Sequence, residues 1–555
     1  MKHFISASKR AVCALLVVLL LTAGLTVAYA VEPADGIIKG KFTMETFDGF
    51  DPGEQTYYYS DSYFETSGTK SNAHLRTMSA ALVFQLRGRS QTPVETFGAT
   101  LKNTGFKDIT AYDLDRTSLD TFGMLLAHKT VGGKELIAVA LRGDKYEHEM
   151  AANLISDTEG DIKAFADAEA LVESRVGTYL SEHGITSAKY WVTGYSRSGA
   201  VANLFGRELN KDTEKFATTA DDIFVYTFEA PNGSADDTVY DNIHNIIDRR
   251  DLVTYIYPQG WGLYNNGTPE YIGDTDDKIM IKMLDLFSES HMADVEEMNT
   301  SDYLTELVSF LSEHLDRATF SEKLGTPLAG LMNIYYDLDE EQRSTILPFF
   351  QKTLNDMMQD DMFLSTVLMA VFDPTSQESV ENLAALLITY LDNTAAEIGK
   401  PVDDESFETL KSSVNPILAA LLPVVAADMT AEIEHTDGTD ATSAPVYHIM
   451  TLVGNLMPIL KNHFNYNLFN ELKALDSYYD DEAMYGDMNR DKKITIDDAT
   501  IIQRAAAEFV EFTDEEAQLA DVNNDGRVSV LDVTCVQKYL AEYKTGLGKT
   551  GRTAA

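Results

Sequence analysis

The stretch WVTGYSRSGAVANL, residues 191–204, constrains this chain more than any other. A short apolar run ends at Gly194, and apolar residues then recur at Val201, Leu204, Phe205 and Leu209 with helical spacing. A strand signal passing so abruptly into a 3.6-residue period places a strand directly before a helix. Between the two stands G-x-S-x-S, close to the G-x-S-x-G of a strained strand-to-helix turn that exposes a serine hydroxyl at the end of a sheet. Such a turn needs small residues around the serine, and Gly194, Ser198, Gly199 and Ala200 supply them. Ser198 is small enough for the usual glycine place. As a nucleophile it would lie half a turn into the helix and face away, so Ser196 is the candidate nucleophile.

The flanking segments extend the pattern. ELIAVALRG (135–143), KYWVTG (189–194), DIFVYTF (222–228) and NIHNII (242–247) read as strands. Phe165, Ala168, Val172, Val176 and Tyr179 recur at helical spacing between the first two. Strands alternating with helices imply an α/β fold with a mostly parallel sheet and its site at the strand ends.

A serine nucleophile needs a base, and the base needs an orienting acid, in the chain order Ser, Asp, His for this type of fold. Asp251 follows the last strand where the acid belongs; Asp248 is nearer the strand, and spacing alone leaves the two about equal. The histidines beyond Asp251 are His291, His314, His435, His448 and His463.

Residues 84–262 resemble the class 3 lipase family. IAVALRGD is similar to that family's strand ending in R-G and a small polar residue, and VTGYSRSGAVANL to its elbow. VYTFEAPNG is similar to its strand ending near a proline, and DLVTYIYP to its D-x-V with a proline beyond. The resemblance implies an α/β-hydrolase fold with Asp251 as the acid. It implies an oxyanion hole from the backbone N–H groups of Asp144 and Arg197. KNHFNYNLFNELKALD (461–476) resembles the end of bacterial members, where a histidine precedes aromatics and a final helix; this implies His463 as the base. His291 is the alternative base, closer in sequence but without that context. The expected reaction is ester hydrolysis through an acyl-enzyme, with no catalytic cofactor, on an acylglycerol or a plant cell-wall acyl ester. Asp144 stands where the family often carries a hydroxyl, and Ser198 where it carries glycine. These departures support a second reading, a catalytically weak or inactive hydrolase-like module that binds or builds.

Residues 275–445 carry helical patterns with apolar faces and suit a helical lid or cap inserted in a domain spanning 31–475. Met357, Met358, Met362 and Met369 serve equally as an adaptable apolar wall or as core filling.

Two C-terminal stretches, residues 487–509 and 521–543, match at a spacing of 34 residues. Each opens D-x-N-x-D and has Asp at loop position 12, the oxygen pattern of a calcium loop. The first loop offers Asp487, Asn489, Asp491, the Lys493 carbonyl, Thr495 and Asp498. The second offers Asp521, Asn523, Asp525, the Arg527 carbonyl, Ser529 and Asp532. Gly526 suits the tight turn of the second loop; Lys492 holds that place in the first. The repeat resembles a type I dockerin, which implies two Ca²⁺ ions and a cohesin module of a scaffolding protein as partner. Gln503, Arg504, Gln537 and Lys538 lie where dockerin helices face the cohesin. Cys535 aligns with Ile501 and reads as a core residue. Residues 486–545 form this module, 476–485 a linker and 546–555 a tail.

The first thirty residues have a basic start, an apolar run and the small-x-small exit Ala28 to Ala30, which reads as a secretory signal peptide. Its removal takes three cations away and moves the net charge from −44 to −47. That charge disfavours nucleic acid and anionic membrane surfaces and favours neutral substrates or Ca²⁺. Only Cys535 remains in the mature chain, so no intrachain disulfide forms. No segment of the mature chain is expected to span a membrane; residues 415–427 read as a short buried helix. The expected location is extracellular, on a cellulosome-like complex.

Overall fold

The computed structural model describes residues 36–44, 54–85, 93–114, 121–143, 147–273, 277–283, 293–428, 448–479, 485–489, 494–507, 509–510, 512, 514–523 and 527–541. The signal segment, Asp144, His291, His435, Asp491, Lys493, Asp525 and the tail lie outside the described residues.

After a hairpin of β1 (Ile38–Thr43) and β2 (Glu54–Tyr59), seven strands pair in simple chain order. These are β3 (Lys107–Tyr112), β4 (Met124–Val131), β5 (Lys134–Leu141), β6 (Ala188–Tyr195), β7 (Ile223–Phe228), β8 (Tyr240–Asp248) and β9 (Gly267–Ile272). β3, β4 and β5 pair antiparallel, and β5 through β9 are parallel. This is the mostly parallel α/β architecture that the alternating pattern implies. The central strands are apolar along their whole length because both faces are covered. β6 and β7 are buried at every position.

One face carries the helices Lys163–His183 and Arg197–Lys211, which bury Phe165, Val172, Val176, Val201, Leu204 and Phe205 against Val139, Val192 and Val225. The other face is covered from the two ends of the chain. Helix Ala73–Phe84 and the late helix Asn465–Ala474 pack there, with Phe84 and Phe469 in edge contact at 6.2 Å between ring centres. That packing brings residue 463 to the ends of strands read hundreds of residues earlier.

Glu169, on the sheet-facing side of helix Lys163–His183, is buried with Oε1 lacking a hydrogen-bond partner. Burial, and then the Glu173 and Glu208 carboxylates, push its carboxyl up to about 8 from an ordinary value of 4.5. The folded chain therefore takes up a proton between these values. The stability this group lends is complete below pH 4.5 and lost as pH rises through 8. Glu169→Gln is expected to raise the Tm at pH 8 by several degrees, at about 2 °C per kcal/mol. The gain should shrink toward pH 5; an equal gain at both pH values contradicts this account.

Residues beyond β9 are not helical throughout, as expected for 275–445. A hairpin of β10 (Lys278–Met283) and β11 (Ala293–Asn299) comes first, and its alternating Ile279 and Ile281 pack under helix Thr300–His314. Helices Thr326–Asp337, Glu340–Met358, Asp361–Phe372, Gln377–Ile398 and Asp404–Asp428 follow. The reading of 415–427 as a short buried helix is corrected. The apolar run continues the amphipathic DESFETLKSSV into a helix of 25 residues, long and apolar enough to cross a membrane by length and composition alone. Ala420, Leu422 and Val424 are buried among neighbouring helices, while most of its side chains are half-exposed. Of the methionines that suit either an apolar wall or a core, Met358, Met362 and Met369 are exposed and Met357 is half-buried.

Candidate active site

Ser196 takes φ 56° and ψ −127°, a conformation rare for a residue with a Cβ, at the junction of β6 and helix Arg197–Lys211. Its N–H donates to the Phe228 carbonyl at 2.8 Å, and its carbonyl accepts from the Gly199 and Ala200 N–H groups. The close packing is literal. A Cβ on Gly194 would lie 2.1 Å from the Ser198 carbonyl oxygen. From 188 to 207 every residue is buried except Ser196, which is half-exposed. Ser198 is fully buried, and its Oγ accepts from the Tyr195 N–H at 2.9 Å and lies 3.1 Å from the Leu141 carbonyl, to which it donates. It ties the elbow to β5 and faces away from Ser196.

Ser196 Oγ lies 2.9 Å from His463 Nε2, and His463 Nδ1 lies 2.6 Å from Asp251 Oδ2. Asp251 is fully buried, and its Oδ1 accepts the Val253 N–H at 2.9 Å. An acceptor at Nδ1 fixes the imidazole with its proton there, leaving Nε2 free to take the serine proton. Asp248, the rival acid, is held by Arg250 Nε at 2.8 and 3.1 Å. Arg250 also reaches Glu471 on helix Asn465–Ala474, and Asn462 donates to the Arg250 carbonyl at 3.2 Å. These bonds seat the histidine loop on the acid loop. His314 bonds the Phe310 carbonyl, and His448 lies 3.0 Å from Asp428, so these are their partners rather than Ser196 and Asp251.

Two supporting side chains escaped the sequence reading. The Tyr195 hydroxyl donates to the His463 carbonyl, and the two rings stack with centres 5.1 Å apart. Glu229, at the end of β7, is fully buried with φ 47°. Its Oε1 accepts the Asp248 N–H at 3.0 Å, while its buried Oε2 has no hydrogen-bond partner. Burial first, and then the Asp251 and Asp248 carboxylates, hold its carboxyl well above the usual range. That direction favours the neutral form, which carries no charge to oppose the Asp251 carboxylate. The only available signal was a glutamate at the end of an otherwise apolar strand.

Arg197 begins the helix, and its side chain is buried over the Phe122 ring at 5.2 Å, which fixes the backbone expected to supply one oxyanion donor. Arg142, of the R-G pair, donates to the Asp113 and Leu114 carbonyls and pairs with Glu149 at 2.6 Å. Its role is structural. Asp144, the other expected donor, and His291, the alternative base, lie outside the described residues.

At the C-terminus, Ala499 and Ile502 pack on Val533 and Val536, which occupy equivalent places in the repeat; Cys535 lies partly buried beside them. Gln503, Arg504, Gln537 and Lys538 are all exposed. Thr495 with Asp498, and Ser529 with Asp532, form capping boxes at the helix starts. Asp498 is fully buried and accepts from the Met488 and Asn489 N–H groups; Asp532, also buried, accepts from Asn523. Asp487 and Asp521 are buried within the same loops. Burial, and further the Asp521 carboxylate, push the Asp532 carboxyl up. Buried carboxylates gathered at the two ends of one loop fit a hard cation held by oxygen.

Residues 485–541 match the Dockerin type I domain. No curated protein matches the chain. Among solved structures, a triacylglycerol lipase whose catalytic centre is a serine protease triad is 20% identical, with 37% of this chain and 80% of that one covered at a TM-score of 0.29. A fungal lipase in complex with an inhibitor is 18% identical, with 44% and 94% covered at a TM-score of 0.30.

Proposed function

We propose that this chain is a secreted serine ester hydrolase carried by its dockerin on a scaffold cohesin. The observation that carries the reading is the continuous hydrogen-bonded line from Ser196 through His463 to Asp251 at 2.9 and 2.6 Å. Ser196 Oγ attacks the ester carbonyl carbon while His463 Nε2 takes its proton. The alcohol leaves with that proton, and an acyl-serine remains. His463 then deprotonates water, which releases the acid and restores the serine. Asp251 holds the tautomer and steadies the imidazolium, and the Val253 N–H keeps that carboxylate in place. Arg197 and Asp144 N–H groups are the proposed oxyanion donors. The dockerin would hold Ca²⁺ through Asp487, Asn489, Asp491, Lys493, Thr495 and Asp498, and through Asp521, Asn523, Asp525, Arg527, Ser529 and Asp532. Its exposed Gln503, Arg504, Gln537 and Lys538 would face the cohesin. Secretion follows from the N-terminal segment and from a scaffold partner outside the cell.

The substrate favoured is an acyl ester with an apolar chain. The helical segment, proposed as a lid, exposes Leu347, Leu354 and Met358 on one helix and Met362, Met369 and Phe372 on the next. Such a face suits acyl chains better than a sugar surface. Nitrophenyl esters from acetyl to long acyl test this. Activity should rise with chain length by about tenfold or more from acetyl to octanoyl, at roughly 0.8 kcal/mol per buried methylene partly realised. Highest activity on acetyl would favour deacetylation of cell-wall polysaccharide instead.

A further inference from the structure

At the opposite end of the sheet from Ser196, β3, β4 and the end of helix Lys163–His183 bring Asp108, His128 and His183 together, and Glu135 of β5 stands beside His128. β5 runs parallel to β6, with Glu135 paired to Ala188 at the start of both. Seven residues of strand, about 20 Å, separate this cluster from the serine.

The hydrogen bonds fix the state of His128. The Tyr179 hydroxyl donates its one proton to the Asp108 carbonyl at 2.9 Å. It must then accept from His128 Nδ1, which lies 2.8 Å away. A neutral His128 therefore carries its proton on Nδ1 and presents a bare lone pair at Nε2. That lone pair faces oxygen: Asp108 Oδ2 at 3.7 Å and Glu135 Oε2 at 3.9 Å. Glu135 Oε2 is buried and has no hydrogen-bond partner, while its Oε1 accepts from Thr130. The His183 ring stands 5.0 Å from the His128 ring, centre to centre. Asp108 itself has φ 52° at a register irregularity between Lys107 and Thr110, a bulge that turns its side chain toward the histidines.

A nitrogen lone pair opposed to two carboxylate oxygens leaves a place for a cation between them, beside the Lys107 charge on the paired strand that already acts on His128. A shared proton demands about 2.7–3.2 Å, shorter than either separation. A tetrahedral metal with bonds near 2.0–2.1 Å holds its ligands about 3.3 Å apart. The ligand atoms of Asp108, His128 and His183 all lie within 4.8 Å of one another, and the exposed Asp108 and His183 can close that gap by side-chain rotation. Two imidazoles and carboxylate oxygen select Zn²⁺ over the hard Ca²⁺. The His128–Tyr179 bond is the outer contact a zinc-bound histidine needs.

We propose that Asp108, His128 and His183, with Glu135 beside them, form a structural Zn²⁺ site that clamps the antiparallel edge of the sheet to helix Lys163–His183. The test uses the full chain in calcium-saturated buffer, with bound zinc measured by elemental analysis after dialysis and affinity by titration calorimetry. The wild type should hold about one zinc and gain Tm on its addition. His183→Gln and Asp108→Asn, both at exposed positions, should each weaken zinc binding beyond the ten- to hundredfold typical of losing an outer contact. Both should lose the Tm gain and keep ester hydrolysis. No zinc on the wild type overturns the proposal. So does equal zinc on the variants, which would place the metal elsewhere.

Discussion

Ser196→Ala is expected to lower kcat for ester hydrolysis by about 10⁵-fold or more, with the fold unchanged. The serine Oγ bonds His463 and its side chain is half-exposed, so removing one oxygen opens no cavity in the core. Asp251→Asn should lower kcat by about 10⁴-fold, because an amide can offer its nitrogen to Nδ1 and impose the wrong tautomer. Combining the two should add little, since residues acting as one unit do not lose independently. If the domain were only a binding module, all three variants would match the wild type in whatever slow hydrolysis it shows. Full circular dichroism spectra of each variant separate loss of chemistry from loss of fold.

The second large effect concerns calcium. Chelation should abolish binding of the full chain to type I cohesins, with Kd weakened by more than about 100-fold, because in such small modules metal affinity is folding energy. Asp532→Ala should reproduce much of that loss in saturating calcium. It removes one proposed ligand and leaves the Asn523 and Ser529 N–H groups without their acceptor. Ester hydrolysis should be unaffected by either treatment. Surface plasmon resonance with and without chelator reads the first, and undiminished cohesin binding in chelator would contradict the calcium assignment.

The elbow and the strands β5 to β8 were legible because fully buried parallel strands are short apolar runs, and the helices between them bury a 3.6-residue stripe. β3 was not legible because its half-exposed edge sequence KDITAY has neither signal. β9, GTPEYI, contains the proline and glycine that usually argue against a strand, and it sits at the sheet edge where a proline is tolerated. The polar ADVEEMN of β11 hid the second hairpin inside a region that reads as helix.

The site was legible unequally. Ser196 follows from local chemistry, whereas Asp251 and Asp248 could be told apart only by resemblance. In the structure Arg250 takes Asp248 and leaves Asp251 for the histidine. His463 carries no local signal. It reaches Asp251 across 212 residues because Leu468, Phe469 and Leu472 seat the final helix on the sheet. Glu229 and Tyr195 act through their partners, and a pattern of residue types does not record which groups meet in three dimensions.

The central claim is that Ser196 is a nucleophile made reactive by His463. The most direct measurement is mass spectrometry of the mature chain after reaction with an alkyl phosphonate ester that traps serine hydrolases. The account predicts one covalent phosphonyl adduct, mapped to Ser196 and absent from His463→Ala. An unlabelled chain, or label on another residue with Ser196 untouched, would contradict it.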